Sequence, residues 1–156
     1  MGVTSRRKGA NGELEFIKIL SQSFPEHEFS RNYAQAAKSG FDVIGLPGFG
    51  VEVKRYKRGR IYQLDWWDQV VDAVKPERLL PLLAYRFDRT EWSILVPAQW
   101  VVGNTVDRND ITCHMPYDDF VNVYKKHQER EQAVTEEIES DYQEFKQDML
   151  EGKAEG

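Results

Sequence analysis

The chain has one cysteine, three histidines and no uninterrupted apolar run of membrane-spanning length. A lone Cys113 excludes an intramolecular disulfide and suits a reducing compartment. His114 stands beside it, but no CxxC and no His pair at helical spacing accompanies them, so packing or surface is expected there rather than zinc. The stretch "MGVTSRRKGANG" is polar and basic with no apolar segment behind it, so no signal peptide is expected. Together these absences point to a soluble, cytoplasmic protein that makes no use of a membrane. At 156 residues, 40% apolar and 12% aromatic, it is long enough for one core, with or without an appendage.

Net positive charge is also lacking. The balance of -5 argues at first against a nucleic-acid partner, but its distribution argues otherwise. Residues 128–156 hold 10 acidic against 3 basic side chains, whereas residues 1–60 hold 11 Lys or Arg against 6 Asp or Glu. That asymmetry implies a basic face and an acidic tail.

Residues 9–23 read as a helix with Ala10, Leu14, Ile17 and Leu20 as its stripe, stopped by Pro25. A short strand at 28–32 and a small-residue loop, "YAQAAKSG", precede a hairpin with strands near 41–46 and 49–54 around Pro47-Gly48. A second helix is expected over 62–75, with Trp66 and Trp67 as core or interface, and two strands in "LLPLLAYRF" and "EWSILVP". The implied fold class is α/β, a mixed central sheet flanked by helices in the order αβββαββ, with a C-terminal helix. A core over 1–116, an acidic helical extension over 117–150 on the core or a second subunit, and a flexible tail at 151–156 are expected.

The hairpin carries charges that a purely buried one would avoid. Alternation puts Val51 and Val53 on one side of a strand and Glu52 and Lys54 on the other. A turn near Pro47 brings Asp42 opposite Glu52, with Cβ atoms about 5 Å apart. Two such carboxylates repel unless cations intervene; Lys54 supplies part of that charge and a divalent metal would supply the rest. Oxygen ligands favour Mg²⁺, with Mn²⁺ as substitute, over zinc. Glu13, on the apolar stripe of the first helix, is a costly acid unless paired or metal-bound; Glu15 is expected to face solvent. A Glu-x-Lys strand alone is ordinarily just the solvated side of a sheet. The addition of Asp42 and Glu13 favours a site. Arg6, Arg7 and Lys8, with Arg55, Lys57, Arg58 and Arg60, are the candidate DNA-backbone contacts; five of the seven residues 54–60 are cationic. Tyr56 among them could stack on a base or cover the core.

"KGANGELEF", "FDVIG" and "VEVK", followed by a helix and two strands, resemble the PD-(D/E)xK nuclease superfamily. Within it the chain is most similar to the archaeal-type Holliday-junction resolvases, which also occur in phage-encoded form. The resemblance spans residues 6 to 97. It implies a restriction-endonuclease-like core, with Lys8-Gly9 and Glu13 as the opening motif and Asp42, Glu52 and Lys54 as the central one. It also implies the Val53 carbonyl as a further metal ligand, Arg31 and Ser39 near the scissile strand, and Gln63 or Gln69 as a polar helper. The implied activity is a homodimeric, Mg²⁺-dependent endonuclease that resolves four-way DNA junctions, in a prokaryotic or phage-infected cell, with no small-molecule substrate. Phe41 stands where the family often has Pro. The acidic segment after residue 127 has no family counterpart. Two rivals remain: another nuclease of the superfamily, of repair, replication or restriction type, and a non-catalytic DNA-binding module.

Overall fold

The computed structural model describes residues 3–33, 40–103 and 109–152, with side chains from residue 9 onward. Helix α1 (Val3–Ser23) leads into β1 (Ser30–Arg31), β2 (Val43–Ile44) and β3 (Phe49–Tyr56). Helix α2 (Leu64–Val74) then crosses to β4 (Leu80–Phe87), followed by β5 (Ser93–Pro97), α3 (Ala98–Val102), β6 (Thr112–Pro116) and α4 (Tyr117–Leu150). The strands form one sheet in chain order, antiparallel throughout except for the parallel β3–β4 pair that α2 connects. A parallel pair needs such a crossover, because a hairpin cannot reverse the chain twice.

This is the mixed α/β sheet expected from the sequence, with two additions. Helix α3 and edge strand β6 lie in a stretch without apolar periodicity. As β6 is only half buried along its length, it needs no alternating pattern. Pro76 ends α2 as expected, inside a single 3-10 turn, Lys75–Glu77, whose backbone closes at a left-handed Arg78. The expected strands at 28–32 and 41–46 shrink to two residues each.

Strand alternation divides the interior. Leu83, Tyr85 and Phe87 of β4 pack with Trp66, Trp67, Val70 and Val74 of α2. Each large side chain buried in this way contributes roughly 1.5–3 kcal/mol. On the other side α1 crosses β3, and Phe16 meets Trp92 and Tyr117 through ring contacts. The stripe that α1 turns inward is not the expected one. Gly12, Phe16 and Leu20 are buried, while Leu14 is 54% exposed. Glycine carries no hydropathy signal, so the inward row through Gly12 was invisible to an apolar count. Glu13 and Glu15 consequently flank the buried row on opposite sides, about 100° per residue around the helix.

Chain contacts group residues 1–120 into one compact unit and 121–156 into another. Within the second unit, Val134, Ile138, Tyr142, Phe145 and Met149 are all exposed.

Candidate active site

Pairing of Val43 with Val51 sets the β2–β3 register and thereby places Asp42 across from Glu52. Asp42 is held by backbone on both sides: its N–H donates to Val51 O at 2.8 Å, and its carbonyl accepts from Asn32 N–H at 2.7 Å. Its Oδ2 accepts from the Val53 N–H at 2.8 Å. Val53 therefore enters the site through its amide, which aims the Asp42 carboxylate.

Glu52 is only 2% exposed. Its Oε1 lies 3.0 Å from Lys54 Nζ, two residues along the same strand face. Its Oε2 is buried with no hydrogen-bond partner among the described residues. Burial pushes the Glu52 carboxyl up to about 7; the charge of Asp42 adds to this, Lys54 opposes it, and Glu13 adds a smaller increment. Lys54 is fixed from above by α2, donating to Gln69 Oε1 at 2.9 Å. Gln69 thus joins the site, whereas Gln63 sits exposed at the start of α2, where its carbonyl accepts from Trp66 N–H.

Glu13 reaches the same neighbourhood from α1. Burial raises its pKa, and the hydrogen bond from Arg31 opposes that rise; Asp42 and Lys54 also act on it. The Arg31 Nε donates to Glu13 Oε2 at 2.5 Å. Among the described residues, no three His, Cys, Asp or Glu side chains cluster tightly enough to hold a metal ion outright. In this arrangement the half-buried Glu13 bonds Arg31, the residue that the resemblance puts near the scissile strand. The remaining features do fit a divalent ion. An orphaned, buried carboxylate oxygen beside a second carboxylate lacks positive charge, and an ion bound by oxygen ligands supplies it.

Other expected residues divide clearly. Lys57, Arg58 and Arg60 are exposed. Arg55 is not a free DNA contact: its guanidinium is bonded to Asp88 and lies 3.5 Å from Glu15. Glu15, expected in solvent, also pairs with Arg86. The reason is the rotated inward row of α1, which brings Glu15 over β3 and β4. Nothing in a linear sequence marks that four-residue lattice, since its members lie up to 73 positions apart, from Glu15 to Asp88. The side chains of Arg6, Arg7 and Lys8, and the whole of Ser39, lie outside the described residues. His114 Nε2 lies 2.7 Å from the Tyr85 hydroxyl, within the aromatic cluster on the α2 side. Gly9 has open space around it, so no steric need for glycine is visible there.

With an Asp at the entry to β2, a Glu-x-Lys on β3 and a Glu on α1, the chain belongs to the phage putative PDDEXK endonuclease family, which matches residues 4–151. It is accordingly a nuclease of the PD-(D/E)xK superfamily, the resemblance noted from the sequence. No curated protein matches the chain. Among solved structures, it is similar to Hjc, a Holliday junction resolvase from the archaeal hyperthermophile Archaeoglobus fulgidus, at 17% identity and a TM-score of 0.44. That match covers 68% of this chain and 85% of the other. No described helix is long and apolar enough to cross a membrane.

Proposed function

We propose that the protein is a Mg²⁺-dependent endonuclease that cuts branched DNA, resolving four-way junctions by paired phosphodiester hydrolysis as a homodimer. The observation that carries the nuclease reading is the buried, unpartnered Glu52 Oε2 beside Lys54 and across from Asp42. The family membership supports the same chemistry.

Asp42 and Glu52 would hold the ion, with Mn²⁺ able to replace Mg²⁺, and Glu13 would join on release from Arg31. When bound, such an ion lowers the pKa of a water and offsets charge on phosphate oxygens. The chain's own groups do the rest. The Val53 amide orients Asp42, and Gln69 together with Glu52 holds Lys54 as a compact charge at the mouth of the site. Arg31, released in the exchange, would be free to meet a phosphate. The exposed Lys57, Arg58 and Arg60 fix the backbone without reading sequence. A four-way junction offers two symmetry-related strands, and a twofold dimer presents two matched sites.

The test is incubation with a synthetic four-way junction, a flap, a single strand and a duplex in Mg²⁺. Paired symmetrical nicks confined to the junction are the expected result. Cutting of the flap or duplex at an equal rate would move the assignment to another nuclease of the superfamily. No metal-dependent cutting of any substrate would remove the nuclease reading.

A further inference from the structure

The catalytic face of β3 does not end at Lys54. Two residues on, and so on the same face, stands Tyr56. Its ring stacks on Trp66 of α2 at 2° between planes and 4.9 Å between centroids, and is 43% exposed. Trp66 itself is buried, in ring contact with Tyr85 and Phe87. Stacking on a buried ring therefore holds Tyr56 in one orientation while leaving it substantially exposed. Around it the chain runs Lys57, Arg58, Gly59, Arg60 and Ile61, all exposed. Gly59 lies against the Phe87 ring at φ +154°, so closely that a Cβ there would collide with it. The cationic loop is thus pinned beside the tyrosine. Ile61 and Leu64, exposed by 59% and 74%, follow in the chain.

We infer that Tyr56 is a stacking platform for an unpaired nucleobase of the DNA, next to the scissile phosphate. This rests on the nuclease reading for its neighbour, the phosphate at Lys54, but its ligand can be tested without cleavage. An exposed aromatic ring followed in the chain by cations is the combination that binds single-stranded nucleic acid, stacking the base and neutralising the backbone. Inside a continuous duplex both faces of each base are already stacked, so the platform has no ligand there. Lys54 and Tyr56 are separated by about 7 Å along the strand, close enough for a phosphate at one and its neighbouring base at the other. The ligand class is therefore branched DNA that can offer a base out of its stack at the branch, as a fork does outright and a four-way junction does when its crossover opens on the protein.

The experiment measures binding in EDTA, where no cutting occurs. Fluorescence anisotropy would compare a fork carrying unpaired thymines with a fully paired duplex of equal length, for wild type, Tyr56→Phe and Tyr56→Leu. Leucine still covers Trp66 but has no π face. The expected result is that Y56L weakens fork binding roughly 5- to 100-fold, leaves duplex binding unchanged, and that Y56F behaves as wild type. Equal losses on both ligands, or none on either, would overturn the platform. If Y56L fails a thermal-melt check of folding, a fork with 2-aminopurine at its first unpaired position decides on wild type. Quenching on binding supports stacking, and unchanged fluorescence overturns it. Tyr56-dependent fork binding with no Mg²⁺-dependent cutting would keep the platform and sink only the nuclease reading.

Discussion

The two faces of β3 carry charge to different ends. Toward α1 the strand presents Val51, Val53 and Arg55; toward α2 it presents Glu52, Lys54 and Tyr56. Arg55 is a half-buried charge made content: Asp88 and Glu15 meet it, and Arg86 closes the lattice from β4. Glu52 is buried charge left short, with one oxygen on Lys54 and the other on nothing. A paired buried ion is a structural member, whereas an unpaired one costs several kcal/mol and persists where something else is meant to complete it. The satisfaction of the charge, more than its presence, separates site from scaffold.

Substitutions on the two faces should therefore fail in different ways. The largest effect is expected from Glu52→Gln or Asp42→Asn. Each should reduce Mg²⁺-dependent cleavage at least about 100-fold while keeping DNA binding, as read by nicking gels beside anisotropy. Wild-type cutting by either variant would erase the contrast. Next comes the pH dependence of Glu52. Its carboxyl is raised from 4.5 to about 7, mainly by burial, so between those values the folded chain keeps a proton that the unfolded chain has released. Stability of the metal-free protein should then fall as pH rises through this window, by up to about 3 kcal/mol, and level off above it. Urea denaturation from pH 4.5 to 8 should show the fall, and E52Q should flatten it. Mg²⁺ should raise Tm more at pH 8 than at pH 6.

On the opposite face, Arg55→Ala should cost about 1–2 kcal/mol of stability, because it strips a partner from Glu15 and Asp88 while both keep access to water. Its effect on cleavage should be far smaller than that of E52Q. Smallest is Gln69→Ala, which loosens Lys54 without removing it. Roughly a 3- to 10-fold drop in kcat with KM unchanged is expected, about the net worth of one water-accessible hydrogen bond.

Much of this contrast was written locally. The alternation of Val51, Glu52, Val53 and Lys54, and the turn that sets Asp42 opposite Glu52, follow from a two-residue period and a Pro-Gly corner, and the structure keeps that register. Apolar periodicity puts Glu13 on a stripe through Leu14; Leu14 is exposed, and Glu13 lies instead on the flank of the row through Gly12 and Phe16. The pairing of Glu15 and Arg55 leaves no local signal, because their partners, Arg86 of β4 and Asp88 in the turn after it, are distant in the chain. Gln69 and Gln63 look alike in the sequence, since only the helix phase over β3 distinguishes them. Periodicity reports which face is apolar; it is silent on what arrives from elsewhere in the chain.

Gly12 ties the two faces to one dimension. A Cβ at that position would lie 2.6 Å from the Arg55 Cβ, an atom anchored to the strand and unable to step aside. The helix and sheet are thus spaced as if by a shim of zero thickness, with an acid on either flank. Adding even a methyl group would lift both acids together, so gap width at a residue with no side chain becomes a dial shared by chemistry and scaffold.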